Sequence, residues 1–461
     1  MSALWTSDEI AAATGGTASA RFEVTGVTFD SREVGPGDLF VAMPGSVHDG
    51  HKFVDAAFAA GAAGAIVAQP VSGPHVLVDD TFAALQALGR ASRERTAATI
   101  IGVTGSVGKT STKEALYAAL DRNRPGKVHR SVKSYNNHTG VPLSLARMPR
   151  GTEFGIFEMG MNNAGEIRAL TAQVRPHLAI ITAIAPAHIE NLGSEQAIAD
   201  AKAEIFEGLE PEGVAIIPND TPHRDRLVKA ARRRADRIIT FGNGDADVHA
   251  VHAVNAEGSG SLISAALLER ELTFTISQRG EHWVSNALAV LAAVEALDED
   301  VAVAGLALAD LGGLKGRGQR HLIELDGGEA LLIDESYNAN PASMAATLKS
   351  LGTEKDIVRR IAVLGPMREL GTHSAALHAG LAPAIRDSHV DRLILIGEEM
   401  LPLAQALYGQ TDVTRAQSVE DATDRLMRLV RPGDAILVKA SNSVGLAKLV
   451  ERMVEGLPCS T

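Results

Sequence analysis

The stretch IIGVTGSVGKTSTKE, residues 100–114, sets the architecture of this chain. The run Thr99-Ile100-Ile101-Gly102-Val103 is apolar enough for a parallel strand covered on both faces. It breaks into Thr104-Gly105-Ser106-Val107-Gly108-Lys109-Thr110, and a helical pattern follows from Ser111 to Leu120. Strand, glycine loop, Lys-Thr and helix together make a phosphate cradle. Gly105 and Gly108 let the loop turn backbone N–H groups toward phosphate oxygens, and the helix N-terminus adds partial positive charge. Lys109 reaches the outer phosphates, and Thr110 offers a hydroxyl to Mg²⁺. The contact set expected for a nucleotide is Gly105, Ser106, Gly108, Lys109, Thr110 and Ser111. Val103 stands where a longer P-loop has its first glycine, so this is the short form T-G-x-x-G-K-T.

Outward from the loop, residues 98–314 alternate strand and helix patterns, as in a mainly parallel sheet with crossover helices. A strand at 155–159 carries Glu158, and one at 176–184 runs into Ala185-Pro186-Ala187-His188. Acid and imidazole thus fall at the carboxyl ends of strands, where open α/β sheets bind ligands. Glu158 is a hard oxygen donor suited to Mg²⁺. His188, taken singly, reads as a capping or core histidine. A helical pattern at 194–209 carries Lys202 beside Glu204 and Glu207, and its local reading is an ion pair or a phosphate contact. Arg232-Arg233-Arg234 reads as a solvated helix face. Residues 247–276 are β-like, and 281–297 form an amphipathic helix with His282 and Asn286 near its start.

The glycines of Gly312-Gly313-Leu314-Lys315-Gly316-Arg317-Gly318 mark a hinge. Beyond it, 315–461 alternates again, with strands at 330–333, 361–364, 393–396 and 435–438. This predicts a Rossmann-like domain without the G-x-G-x-x-G fingerprint of NAD binding. Before the loop, 1–97 reads as a small α/β domain, with strands at 22–29, 39–43, 65–68 and 75–78 and helices at 51–60 and 82–95. Two of its loops are polar: Asp30-Ser31-Arg32, and 45–51. An Arg just past a strand suits a phosphate or pyrophosphate; a turn with a surface ion pair explains Asp30-Ser31-Arg32 equally well.

The chain has 461 residues and a net charge of −12, which speaks against a general nucleic-acid binder. Its one cysteine, Cys459, excludes an internal disulfide and fits a reducing compartment. The opening residues MSALWTSDEI lack the basic and apolar regions of a signal peptide, and no apolar run reaches membrane-spanning length. The expectation is a soluble, cytoplasmic protein with no membrane partner.

Several segments resemble the Mur ligase family of peptidoglycan synthesis: TGSVGKTS at 104–111, YNNHTGVPLSL at 135–145, FEMGMNNAGEI at 157–167, APAHIENLGS at 185–194, AKAEIFEGL at 201–209 and DESYNANP at 334–341. The resemblance implies three domains: a small α/β UDP-sugar domain, a central P-loop ATPase domain, and a C-terminal domain that closes over nucleotide and amine. It implies ATP and one or two Mg²⁺ as cofactors. The substrates it implies are UDP-N-acetylmuramoyl-tripeptide and D-Ala-D-Ala, joined through an acyl phosphate; separately, a monomer is expected. By the same resemblance Thr110, Glu158 and His188 hold metal, and Lys202 carries a carbamate. Asn286 meets adenine, Arg317 the phosphates, and Asp334 and Tyr337 the nucleotide. Asp30, Ser31, Arg32 and Asn137 face the UDP-sugar. Other readings are a different superfamily ligase (tripeptide-forming or folate polyglutamate type), a P-loop switch without ligase activity, and a weakly active paralogue.

Three segments depart from the family pattern. Its H-N-x-x-N reads His282-Trp283-Val284-Ser285-Asn286, and its L-G-D-M reads Leu364-Gly365-Pro366-Met367. Its K-G-S-x-x-S-R-M reads Lys439-Ala440-Ser441-Asn442-Ser443-Val444-Gly445-Leu446, without the arginine.

Overall fold

The computed structural model describes residues 3–45, 49–187, 189–256 and 260–456. His188, Cys459 and residues 46–48 of the second polar loop lie outside them. The described chain builds three main sheets. The first has five strands in the order Thr17–Ala18, His75–Leu77, Gly64–Val67, Asp38–Val41, Gly26–Thr28, parallel except for the first pair. The expected strand at 22–29 is split. Glu23–Val24 pairs antiparallel with Trp5–Thr6, while Gly26–Thr28 joins the main sheet. The break falls at Thr25, whose N–H donates to the Gly37 carbonyl at 2.9 Å. Asp80 caps the Thr81–Glu94 helix by accepting from the N–H groups of Phe82 and Ala83.

The central sheet has nine strands. Their spatial order is Glu271–Ile276, Ser261–Ala266, Val248–Asn255, Arg237–Gly242, Val214–Pro218, Leu178–Ile181, Thr99–Thr104, Phe154–Glu158, Val128–Arg130. Every pairing from Val248–Asn255 onward is parallel. The β-like 247–276 stretch adds an antiparallel end. Helices Lys109–Asn123 and Glu281–Ala296 bury Leu116, Leu120 and Leu288–Val294 on one face. Helices Gly140–Ala146, Glu166–Val174 and Glu195–Ala203 cover the other. The single helix expected at 194–209 is instead Glu195–Ala203 followed by a tight 3₁₀ turn, Glu204–Gly208. Glu204 is held there by the N–H groups of Gly165 and Arg168.

The third sheet runs Gln319–Leu325, Gly328–Glu335, Asp434–Lys439, Arg359–Leu364, Arg392–Ile396, Asp412–Ala416, and only its first pair is antiparallel. Asn340 and Ser343 form a reciprocal cap on the Pro341–Gly352 helix. The third domain is seated on the central one. Buried Glu354 accepts from Arg320 at 2.7 Å and from Arg279, just before the Glu281–Ala296 helix, at 3.1 Å. Among the described residues no helix is long and apolar enough to cross a membrane.

Candidate active site

A cleft of about 500 Å³ opens at the carboxyl end of the Thr99–Thr104 strand, between the central and third domains. Its floor is the glycine loop. Gly105 has φ +151° and Gly108 φ +82°, values that L side chains rarely adopt. A Cβ on Gly105 would lie 1.9 Å from Thr182 Oγ1, and one on Gly108 2.6 Å from Asn286 Oδ1. Glycine is therefore demanded by backbone conformation and by close approach. The Thr182 hydroxyl donates to the Val107 carbonyl at 2.5 Å, and Ser106 Oγ donates to the Ala185 carbonyl at 2.9 Å. Ser106 thus fastens the loop to the segment leading to His188.

Lys109 curls back over the loop, its Nζ donating to the Gly105 carbonyl at 2.7 Å. Burial pushes its pKa below the usual lysine range, Glu158 opposes that, and Arg317 adds to it. Thr110 Oγ1 donates to Glu158 Oε2 at 2.9 Å, and Asn136 Nδ2 donates to Glu158 Oε1 at 2.7 Å. The parallel register sets Glu158 beside Val103, two residues before Gly105. Two hard oxygen donors therefore converge beside the loop, as Mg²⁺ requires. Among the described residues no group of three His, Cys, Asp or Glu side chains is placed to hold a metal. His188 is outside that set.

Lys202 is 1% exposed, at the end of the Glu195–Ala203 helix. It makes no ion pair with Glu204 or Glu207. Glu204 accepts from the backbone of Gly165 and Arg168, and Glu207 takes the Arg168 guanidinium at 2.6 and 2.9 Å. Burial first, and then the charge of Lys109, pushes the Lys202 pKa well below the lysine range.

The other walls come from further along the chain. Asn286 and His282, on the first turns of the Glu281–Ala296 helix, line the cleft together with Ser111, and Asn286 lies against Gly108 of the loop. The Arg317 guanidinium stacks 4.1 Å over the Tyr337 ring and donates to Ser134 Oγ at 3.3 Å. Asp334 is turned into the hinge instead. Its carboxylate accepts from the N–H groups of Gly316, at 2.8 Å, and Ser336, at 3.0 Å. Lys439 donates to Glu335 and to the Asn338 carbonyl.

The Asp30-Ser31-Arg32 loop lies away from this cleft, on the first domain. Arg32 pairs bidentately with Asp30 at 2.8 and 2.6 Å while its side chain remains 86% exposed. That hydrogen bond holds the Asp30 carboxyl down at about 2. Asn137 uses its carboxamide oxygen to cap the Gly140–Ala146 helix, accepting from Thr139 and from Gly140 N–H at 2.9 Å. Its neighbour Asn136, not singled out in the sequence, is the one that reaches Glu158. Lys113 and Ser134 were also missed. For Ser134 and Asn136 the available signal is the polar run 133–137, interrupted only by Tyr135, which follows a strand; for Lys113 the sequence offers none.

Three family models match the chain in succession: "Mur ligase family, catalytic domain" at 23–99, "Mur ligase middle domain" at 103–294, and "Mur ligase, glutamate ligase domain" at 316–442. A UDP-N-acetylmuramoyl-tripeptide–D-alanyl-D-alanine ligase of Bacillus subtilis is 34% identical, with 96% of each chain covered. A crystal structure of MurF from Acinetobacter baumannii superposes with a TM-score of 0.85 at 30% identity, covering 98% of this chain and 99% of that one. MurF ligase from Thermotoga maritima in complex with ADP gives a TM-score of 0.78 at 27% identity over 94% and 97%. With its glycine loop, three-sheet build and full-length relatives, this chain belongs to the Mur ligase family.

Proposed function

We propose that this protein is the ATP-dependent ligase that joins D-alanyl-D-alanine to UDP-N-acetylmuramoyl-tripeptide, forming an amide through an acyl phosphate. The observation that carries the reading is the convergence of the Gly105–Thr110 loop, Glu158 and Arg317 on one interdomain cleft, in a chain whose relatives of that name match it end to end. Phosphoryl transfer is mainly positioning and charge neutralisation, and the cleft supplies both. Loop N–H groups and Lys109 hold the outer phosphates, and Arg317, splinted by Tyr337, meets them from the third domain. Asn286 borders the loop where the base would lie. Asp30, Ser31 and Arg32 face the UDP-sugar from the first domain.

Thr110 and Glu158 would hold Mg²⁺, with His188 and a carbamate on Lys202 completing one or two sites. The chemistry Mg²⁺ would supply there is neutralisation of the phosphate charge. The third domain brings the amine to the activated carboxyl and excludes water from it. ATP and a UDP-sugar are cytoplasmic metabolites, so we place the enzyme there and take it to act as a monomer.

The test is phosphate release from the purified protein with ATP, Mg²⁺, the UDP-linked tripeptide and D-alanyl-D-alanine. Release should require both acceptors. Equal release without them would identify a hydrolytic switch, and release with another amino acid alone would identify a different superfamily ligase.

A further inference from the structure

Lys113 lies one helical turn beyond Lys109, and no step of the proposed phosphoryl transfer uses it. Its side chain is 0% exposed. Nζ donates to the carbonyls of Ser131, at 2.8 Å, and Lys133, at 2.6 Å; it pairs with Glu114 at 2.9 Å and lies 3.9 Å from Glu158 Oε2. A buried ammonium is tolerated only where its donors are satisfied, so the backbone at 131–133 is tied to this one group.

The side chains of residues 133–136 reach all three domains. The Lys133 ammonium pairs with Glu33 of the first domain, and Tyr135 Oη donates to Glu33 Oε2 at 3.3 Å. The Ser134 hydroxyl lies 3.4 Å from Thr110 Oγ1 and accepts from Arg317. Asn136 donates to Glu158. Glu33 directly follows the Asp30-Ser31-Arg32 loop.

We propose that Lys113 is a positioning residue: by clamping the Ser131 and Lys133 carbonyls it sets the 133–136 segment, which couples occupancy of the first-domain substrate loop to the Thr110–Glu158 pair. The inference rests on the proposed ligase function.

The experiment compares Lys113→Met, Lys113→Arg and a surface control, Lys127→Met, in the full-length protein. The measured quantities are half-saturating concentrations of UDP-linked tripeptide, Mg²⁺ and D-alanyl-D-alanine. Loss of hydrogen bonds from a charged group predicts rises of about tenfold or more for the UDP-substrate and for Mg²⁺ in Lys113→Met. The value for D-alanyl-D-alanine, which the proposed function assigns to the third domain, should move less than about threefold, and Lys113→Arg should recover part of the loss. Lys127→Met should behave as wild type.

A merely structural lysine would lower the thermal midpoint and the active fraction while leaving the half-saturation values alone. That pattern, or UDP-substrate and Mg²⁺ values within about twofold of wild type, would overturn the proposal. Wild-type protein that fails to ligate this substrate pair would overturn the ligase reading instead. Calorimetric titration of Lys113→Met with ADP at stepped Mg²⁺ would then still test the clamp: an unchanged Mg²⁺ dependence would overturn it.

Discussion

Thr110 Oγ1 donates to Glu158 Oε2 across 2.9 Å, joining the first turn of the loop helix to the end of the neighbouring strand. The two residues are far apart in sequence; the parallel register of Phe154–Glu158 against Thr99–Thr104 makes the contact. The pair presents two oxygens at the mouth of the phosphate loop. Glu158→Gln keeps the shape but replaces one charged oxygen with an amide nitrogen. We expect the half-saturating Mg²⁺ concentration to rise at least about tenfold, with the thermal midpoint nearly unchanged. An unchanged Mg²⁺ requirement would remove Glu158 from the metal site.

Lys109 should show the larger catalytic effect. Lys109→Ala removes the cation closest to the loop carbonyls, so turnover should fall by about two orders of magnitude or more while the fold persists. Near-wild-type turnover by steady-state phosphate release would end that assignment.

The glycine loop gives a steric prediction. Gly105→Ala places a methyl 1.9 Å from Thr182 Oγ1 at φ +151°, and Thr182 itself holds the loop through Val107. Backbone strain of this kind costs about 1–3 kcal/mol. The variant should therefore lose both thermal stability and ATP affinity. Retained ATP affinity in an equilibrium titration would show that the loop relaxes without cost.

The Thr104–Thr110 motif could be read because a phosphate cradle is contiguous in sequence, and helix Lys109–Asn123 follows from local pattern. Glu158 was legible as an acid closing a strand. Lys113 was not, because a lysine four residues into a helix usually faces water. Its burial comes from the 131–133 backbone, a long-range contact that leaves no local trace. That Asn136 and not Asn137 reaches Glu158 is a matter of which of two adjacent amides faces inward, and the capping demand of the Gly140–Ala146 helix takes up Asn137. The Thr25 bend does leave a trace in 22–29: the apolar positions pass from Phe22 and Val24 to Val27 and Phe29, a one-residue slip of phase at Thr25-Gly26 that a single strand does not accommodate. Asp334 matched its motif, but its carboxylate is taken up by the hinge backbone.

Arg32 separates binding from stability. Its pair with Asp30 is on the surface, where solvent screens such pairs and they contribute little to stability. Arg32→Ala should leave the thermal midpoint nearly unchanged and raise the half-saturating UDP-substrate concentration, with that for ATP unaffected. Equal shifts for both substrates would assign the loop a structural role.

His129 makes stability depend on pH. Burial pushes its pKa from 6.5 down to about 4, although Ser144 O, 2.8 Å from Nε2, favours the protonated form. Between those values the unfolded chain binds a proton that the folded chain does not. The His129 contribution is therefore complete above about 6.5, falls as pH drops toward 4, and is constant below. Urea midpoints at pH 7 and pH 5 should differ less in His129→Gln, which keeps a donor for Ser144, than in wild type. An equal difference would assign the acid sensitivity to other groups.

Lys202 carries the most specific chemical prediction. At a metal site a cationic lysine would oppose Mg²⁺, whereas a carbamate inverts the charge and presents two hard oxygens. Formation needs the neutral amine to attack CO₂ and lose a proton, and burial with the nearby Lys109 charge already disfavours the cation. The carboxylates that would stabilise a cation are committed elsewhere, Glu204 to the Gly165–Arg168 backbone and Glu207 to Arg168. Lys202→Ala should be almost inactive yet folded, since it deletes a buried group whose charged form is already disfavoured. Formate or acetate should restore part of its turnover by refilling the ligand position. In the wild type, removing CO₂ from the buffer should lower activity, and added bicarbonate should bring it back. Full activity in CO₂-free buffer, together with no rescue of Lys202→Ala by small carboxylates, would show that the unmodified amine does the work.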